Sequence, residues 1–328
     1  MTSLTDVKST LPVLDFLLIF ARSMKQILLL AVLSLLGWIS VDAQQVADTL
    51  YKPTIPHPTY SKGKGPVVMI DQAHNNYHTR TGRYLPFARL LERDGYVVKD
   101  YDGRFRKSEL DLCKVLVVSN ALNSMNVENW FLPTPTAFGL TEMEDLREWV
   151  KAGGSLFLIA DHMPFAGAAM DFAAMLGFQF TNGIVMDTTT PNPSYFNTSD
   201  SSLVESIVTT GRNETEHVHH VATFTGQGFR APAAATPVLV FDERYINFLT
   251  DTAWVFTPKT PHINMNGWLQ GAIMPYGKGR LAVFGEAAMF SAQLAGPQRK
   301  KIGMNADDAT ENYKLLLNIM HWLDGTLQ

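Results

Sequence analysis

Cysteine is almost missing from this chain: Cys113 is alone among 328 residues. A single cysteine excludes an intrachain disulfide and any cysteine zinc site. It also lies just before Val115-Leu116-Val117-Val118, at the buried start of an expected strand. A thiol there packs as a small apolar group rather than serving as a nucleophile. An excess of one charge is missing too. Lys and Arg number 27 against 31 Asp and Glu, for a net charge of -4. The longest basic run is Arg299-Lys300-Lys301, so nothing marks a nucleic-acid surface. Three catalytic signatures are absent as well. No Gly-rich phosphate loop follows the first strand, where Asp71-Gln72-Ala73-His74 stands instead. No His-Glu-x-x-His occurs, and Ser119 and Ser155 lack the Gly-x-Ser-x-Gly elbow of a hydrolase serine.

What is present describes a globular protein, with 46% hydrophobic and 18% charged residues. Met24-Lys25-Gln26 opens an apolar run from Ile27 to Ser40, followed by Val41-Asp42-Ala43. A basic start, an apolar core and small residues at Val41 and Ala43 spell a secretory signal, cleaved after Ala43. Residues 1–23 do not fit that plan and read as an over-called extension, with Met24 the true start. The run is short for a membrane span, so no stable span is expected after cleavage. Export without cysteine pairs suits a secreted or periplasmic bacterial protein. The sequons at Asn197 and Asn213 then carry no weight.

Residues 44–64, with Pro53, Pro56 and Pro58, read as a linker or an arm lying on the domain. From residue 65 to 325 the pattern predicts a single α/β domain. Val67 to Ile70 is a buried strand. Tyr84 to Arg93 is a helix stopped by Gly95. Strands follow at Tyr96-Val97-Val98 and at Lys114 to Ser119. Residues 124–139 form a long loop carrying Trp130-Phe131, a candidate lid. A helix with Thr141 as N-cap runs to Gly153-Gly154 and leads into the strand Leu156 to Ala160. A small-residue helix follows, from about Gly167 to Leu176. This alternation predicts a doubly wound, mainly parallel sheet. Residues 181–235 are rich in Thr, Asn, Ser and Pro and read as an irregular excursion carrying Val204–Val208 and Val221–Phe224. Strands resume at Val238 to Phe241, at Ala253 to Phe256, and at Leu281 to Phe284 after the turn Gly277-Lys278-Gly279-Arg280. A final amphipathic helix spans Asn312 to Leu323.

Three strands end in acids or histidines: Asp71 and His74 after the first, Asp161-His162 after Leu156–Ala160, and Gly285-Glu286 after the last. In open α/β sheets the carboxyl edge of the strands is where ligands bind. The phrases Ile70-Asp71-Gln72-Ala73-His74-Asn75, Trp149 to His162, and Gly277 to Glu286 with Asn312 to Leu323 resemble the class I glutamine-amidotransferase-like, flavodoxin-like fold. More closely, they resemble uncharacterised secreted bacterial proteins with that fold. The resemblance covers most of residues 65–325, except 181–235. It implies a cleft at the strand ends, with a nucleophilic cysteine after the strand at 156–160. Here Asp161-His162 holds that place, so glutamine amidotransferase activity is not expected.

The expected composite site comprises Asp71, His74, Asp161, His162 and Glu286. Their carboxylates and imidazoles are ligand types for zinc or another divalent metal, with Asp71, His74, Asp161 and His162 as the metal set. A metal-bound water and a spare carboxylate would make a hydrolase-like site. Asn75, Asn76, His78 and Asn305 are the expected substrate-binding residues. A metal-free site with paired carboxylates would suit glycosides, with Tyr77, Trp130, Phe131 or Trp268 stacking on a sugar. The rival is a non-catalytic domain that binds a small molecule, carbohydrate or peptide of the cell envelope in the same cleft. Each residue also has a plain structural use: Asp161 as a helix cap, His162 on a buried carbonyl, Glu286 in a first helical turn. His217-Val218-His219-His220 has the look of a metal clamp set in the irregular excursion, where surface placement is expected.

Overall fold

Val67–Asp71, Val115–Ser119 and Ser155–Ile159 are five-residue runs whose residues are almost all apolar, so each needs cover on both faces. A computed structural model of the chain describes residues 45–190 and 193–328. The expected extension at 1–23 and signal at 24–43 lie outside the described residues.

In chain order the elements begin with β1 (Gln45–Ala47), β2 (Val67–Asp71), α1 (Leu85–Arg93), β3 (Val97–Tyr101), α2 (Lys107–Leu110) and β4 (Val115–Ser119). Next come α3 (Leu140–Ala152), β5 (Ser155–Ile159), α4 (Phe165–Met175), β6 (Gln179–Phe180), β7 (Ile184–Asp187) and β8 (Ser194–Asn197). They are followed by α5 (Ile207–Thr210), β9 (His220–Thr223), β10 (Phe229–Arg230), β11 (Thr236–Val240), β12 (Tyr245–Phe248) and β13 (His262–Asn264). The last are β14 (Leu269–Tyr276), β15 (Gly279–Phe284), β16 (Ala292–Ala295), β17 (Lys300–Gly303) and α6 (Asn312–Asp324).

The main sheet has nine strands in the order β3-β2-β4-β5-β15-β14-β10-β6, with β11 also on β14. From β3 to β15 every pairing is parallel. The pairings of β14, β10, β6 and β11 are antiparallel. The fold is therefore mixed α/β, and the expectation of a mainly parallel, doubly wound sheet is corrected to a mixed one. The cause is local. Gly277 (φ +61°) and Lys278 join β14 to β15 with Tyr276 opposite Gly279, and so short a link permits only an antiparallel hairpin. Sequence reading missed β14 because Gly271 and Pro275 interrupt its pattern.

Side chains alternate across the sheet and build one core on each face. Val68, Ile70, Val115, Val117, Phe157 and Ile159 pack with α1 and α6. Met69, Leu116, Val118, Leu156 and Leu158 pack with α3 and α4. Two further differences matter near the site. The expected strand at Ala253–Phe256 is a turn, with Trp254 at φ +67° and the Val255 N–H bonded to the Thr252 carbonyl. The first long-helix cap is Gly139 rather than Thr141, because Glu142 Oε2 accepts the Gly139 N–H at 2.9 Å.

The segment before residue 65 lies on the domain. β1 pairs with β16, and Tyr60 bonds through its N–H to the Asp94 carbonyl and through its hydroxyl to Asp324. The excursion at 181–235 is woven in. Val208, Val218 and Val221 share the core beside α6, and β10 extends the main sheet. Among the described residues no helix is long and apolar enough to cross a membrane.

Candidate functional site

β2 ends in Asp71, which is fully buried. The loop turns the His74 ring back onto it, so that Nδ1 lies 2.9 Å from Asp71 Oδ2. The other nitrogen, Nε2, lies 3.2 Å from Glu142 Oε1 on α3. Phe105 and Phe138 enclose the ring, at centroid distances of 4.4 and 5.0 Å. Burial alone would lower the His74 pKa, but hydrogen bonds and charge from Asp71 and Glu142 outweigh it and raise it above 6.5. With both nitrogens occupied, His74 is a tether between β2 and α3.

The rest of that loop is also tied down. Asn76 accepts the His74 N–H at 3.0 Å and donates to the Ser119 carbonyl at 3.3 Å. Asn75 adopts φ +49° and donates to the Leu122 carbonyl. Asn305 is far from this loop in its bonding: its amide spans Asp48 and the Gln293 carbonyl, both at 3.0 Å. All three asparagines bond to backbone carbonyls, and none of them lines the cleft described below.

The β4 and β5 ends build something different. Asn120, at φ +49° just after β4, accepts the Asp161 N–H with Oδ1 at 2.9 Å. An N–H donor on one side fixes the amide orientation, so Asn120 Nδ2 donates to His78 Nδ1 at 3.3 Å. His78 therefore carries its proton on Nε2, which is buried and has no partner among the described residues. Burial, and secondarily the charge of Arg83, push the His78 pKa down to about 3. The ring is a neutral donor.

Asp161 accepts the His162 N–H at 2.7 Å and the Ala287 N–H at 3.3 Å, binding the β5 and β15 ends together. The helix after it is capped at Pro164, so Asp161 does not cap a helix. His162 Nδ1 donates to the Met163 carbonyl at 2.5 Å. In the neutral ring this leaves a lone pair on Nε2, which has no hydrogen-bond partner among the described residues. Glu286 is fully buried and accepts the Ala288 and Met289 N–H groups at 2.8 and 2.7 Å. Burial and then the nearby Asp161 carboxylate raise its pKa well above 4.5. It is an internal group and does not line the cleft.

A cleft of about 750 Å³ opens over Asp161, His162, His78 and Asn120. Tyr77, Trp130, Phe165 and Trp254 give it an aromatic lining, and Lys300, Lys301, Asp307 and Asp308 line it as well. Trp254 meets the His162 ring edge-on at 4.8 Å, with Trp130 and Phe165 at 5.9 and 5.8 Å. Asn126 holds the Trp130 loop by donating to the carbonyls of Asn129, Phe131 and Pro133.

The expected composite site is thus divided. Asp161, His162 and His78 share the cleft; Asp71, His74 and Glu286 do not line it. The expected metal set is divided in the same way: Asp161 and His162 line the cleft, while Asp71 and His74 do not, and both His74 nitrogens face carboxylates. Trp268 lies outside the cleft too, under the Arg230 guanidinium at 4.4 Å. Sequence reading missed Asn120, Glu142 and Trp254. A polar residue directly after a strand was the available signal for Asn120. Glu142 looked like an ordinary first-turn acid, and Trp254 fell in the miscast strand. Cys113 is buried, donates to the Leu110 carbonyl, and has its pKa pushed up to about 12 by burial, which leaves it an inert thiol.

No family model matches this chain, and no curated protein matches it. Solved structures do. The N-terminal domain of mmIFT52 aligns at a TM-score of 0.53 and 15% identity, over 78% of this chain and 96% of that one. A cytoplasmic protein from Salmonella typhimurium aligns at 0.45 and 15%, over 79% and 98%. A thua-like protein from Bacteroides uniformis aligns at 0.44 and 11%, over 83% and 94%. At such identities the likeness concerns the fold alone.

Proposed function

We propose that the cleft is a hydrolase-like site for a ring-bearing polar molecule such as a carbohydrate, with His162 as the base. The observation that carries this reading is the His162 ring: its Nδ1 proton is committed to the Met163 carbonyl, and Nε2 stands among aromatic rings without a hydrogen-bond partner among the described residues. A base so oriented can take a proton from a water or a substrate hydroxyl. Tyr77, Trp130 and Trp254 offer flat apolar faces of the kind that stack on sugars. No metal is needed for this reading.

A binding-only domain for a carbohydrate or peptide of the cell envelope is the second reading. It is favoured by Asp161, whose two carboxylate oxygens both accept backbone N–H groups. Chromogenic glycosides and esters, offered to the wild type and to His162→Ala, separate the two. Turnover that falls about 100-fold or more in His162→Ala, with circular dichroism unchanged, supports a base. Saturable binding without turnover, unaltered in His162→Ala, supports the binding domain instead.

The parallel strands β3-β2-β4-β5-β15 follow the flavodoxin-like order 2-1-3-4-5, which supports an amidotransferase-like sheet. Glutamine hydrolysis through a thiolate is not part of the proposal, since Asp161-His162 follows β5. Export to the periplasm or beyond rests on the Met24–Ala43 pattern. Mass spectrometry of the mature protein tests it: an N-terminus at Gln44 is expected, and a retained Met1 or Met24 would overturn it.

A further inference from the structure

The convergence of metal-ligating side chains expected at the strand ends occurs elsewhere. Glu214, His217 and His219 lie between α5 and β9, and their ligand-capable atoms all fall within 4.8 Å of one another. The short turn Glu214–Glu216 lifts Glu214 toward His217, with Oε1 3.9 Å from Nδ1. The His217 and His219 rings stand 4.1 Å apart between centroids. Neither ring makes a hydrogen bond among the described residues. His220, by contrast, is spent: Nδ1 meets Asn197 Oδ1 at 2.6 Å and Nε2 meets the Asp308 carbonyl at 3.0 Å.

We propose that Glu214, His217 and His219 form a surface site for a divalent transition-metal ion of the zinc type. Two imidazoles and one carboxylate are a donor set that zinc accepts, at about 2.0–2.2 Å per bond. Two ligand atoms on one ion are then at most about 4 Å apart. Glu214 and His219 are exposed and His217 is half-buried, so small rotations, chiefly of Glu214 and His219, close the remaining gap. The backbone under them is already fixed. The Val218 N–H bonds to the Thr209 carbonyl, and Glu311 Oε2 accepts the N–H groups of His219 and His220 at 2.7 and 3.2 Å. The nearby cations do not oppose an incoming ion, since Arg212 is paired with Glu216 and Lys314 with Glu311. Three protein ligands leave a coordination position open to water or to a small anionic ligand. A hard cation such as magnesium, which prefers oxygen donors, is excluded by the imidazoles.

Titration of the untagged full chain with Zn²⁺ against a chromogenic chelator tests the site. One equivalent is expected per wild-type chain, with no competition from Mg²⁺ in tenfold excess. Affinity should fall tenfold or more in His217→Ala/His219→Ala and in the single variant His219→Gln. His219 is exposed and His217 half-buried, and an unchanged thermal midpoint without metal verifies the fold. Absence of stoichiometric Zn²⁺ in the wild type, or a loss smaller than tenfold in these variants, overturns the proposal.

Discussion

His74 and His78 are four residues apart on the loop after β2, and their protons are held in opposite senses. His74 lies between the Asp71 and Glu142 carboxylates at 2.9 and 3.2 Å, and its pKa is raised. His78 is buried beside Arg83 with only the Asn120 amide on Nδ1, and its pKa is lowered to about 3. One tether gains from a proton that the other excludes, and the two respond to pH with opposite sign.

For His74 the folded pKa exceeds the unfolded value of 6.5. Its contribution to stability is complete below that value and is lost as pH rises through the raised folded pKa. His74→Gln should therefore destabilise more at pH 6 than at pH 9, by about 1–3 kcal/mol at the lower pH. Urea unfolding at the two values measures this. An equal loss at both would show that the ion pairs contribute nothing.

For His78 the contribution is complete above about pH 6.5 and drains away as pH falls from there toward about 3. His78→Phe keeps a ring of similar size and has nothing to protonate. Its stability should decline less than that of the wild type between pH 7 and pH 5. Parallel declines would count against a buried neutral imidazole.

Diethyl pyrocarbonate attacks an unprotonated imidazole nitrogen. His162, whose Nε2 has no partner among the described residues at the cleft, should be modified well before His74 and His321, and peptide mass mapping reads the order. His321 is 2% exposed, with Nε2 held by Asp94 at 2.7 Å. Modification of His74 ahead of His162 would contradict the bonding described for both rings.

Gly95 separates α1 from β3 at φ +98°, and a Cβ there would lie 2.3 Å from the Tyr60 carbonyl oxygen. Gly63 also has positive φ, +67°, but a Cβ there meets nothing within 4 Å. Gly95→Ala should cost well over 1 kcal/mol and more than Gly63→Ala, because backbone collision adds to dihedral strain. Thermal denaturation of the two variants tests the ranking.

Phe157 sits in the central strand β5, fully buried, with Phe290 and Phe284 edge-on at 5.2 and 5.7 Å. Phe157→Ala should cost about 3–5 kcal/mol through lost burial and an unfilled cavity. A loss under about 1 kcal/mol would mean that the core face beneath α1 and α6 repacks freely.

Much of the scaffold was legible in local pattern. β2, β4 and β5 announce themselves as short apolar runs between turn residues, and Asn312–Asp324 as a helix with one apolar face. β14 was hidden because Gly271 and Pro275 interrupt its apolar pattern, and Gly271 packs against the Phe284 ring where no side chain would fit. In the site, Asp161 and His162 were legible as polar residues ending a buried strand. The role of His74 was not, because Glu142, which holds its second nitrogen, is 68 residues away in sequence.

By itself the sequence determined that this is a globular chain, mixed in charge, without thiol chemistry at the β5 end. Those properties follow from composition and from which residue stands at one position. Only the tertiary structure decided which polar strand ends share a cleft. Asp71 and Asp161 both end parallel strands. The loop after β2 folds His74 away toward α3, whereas the turn after β5 leaves His162 facing the aromatic lining. That choice is made by contacts between residues far apart in the chain, and no local pattern encodes it.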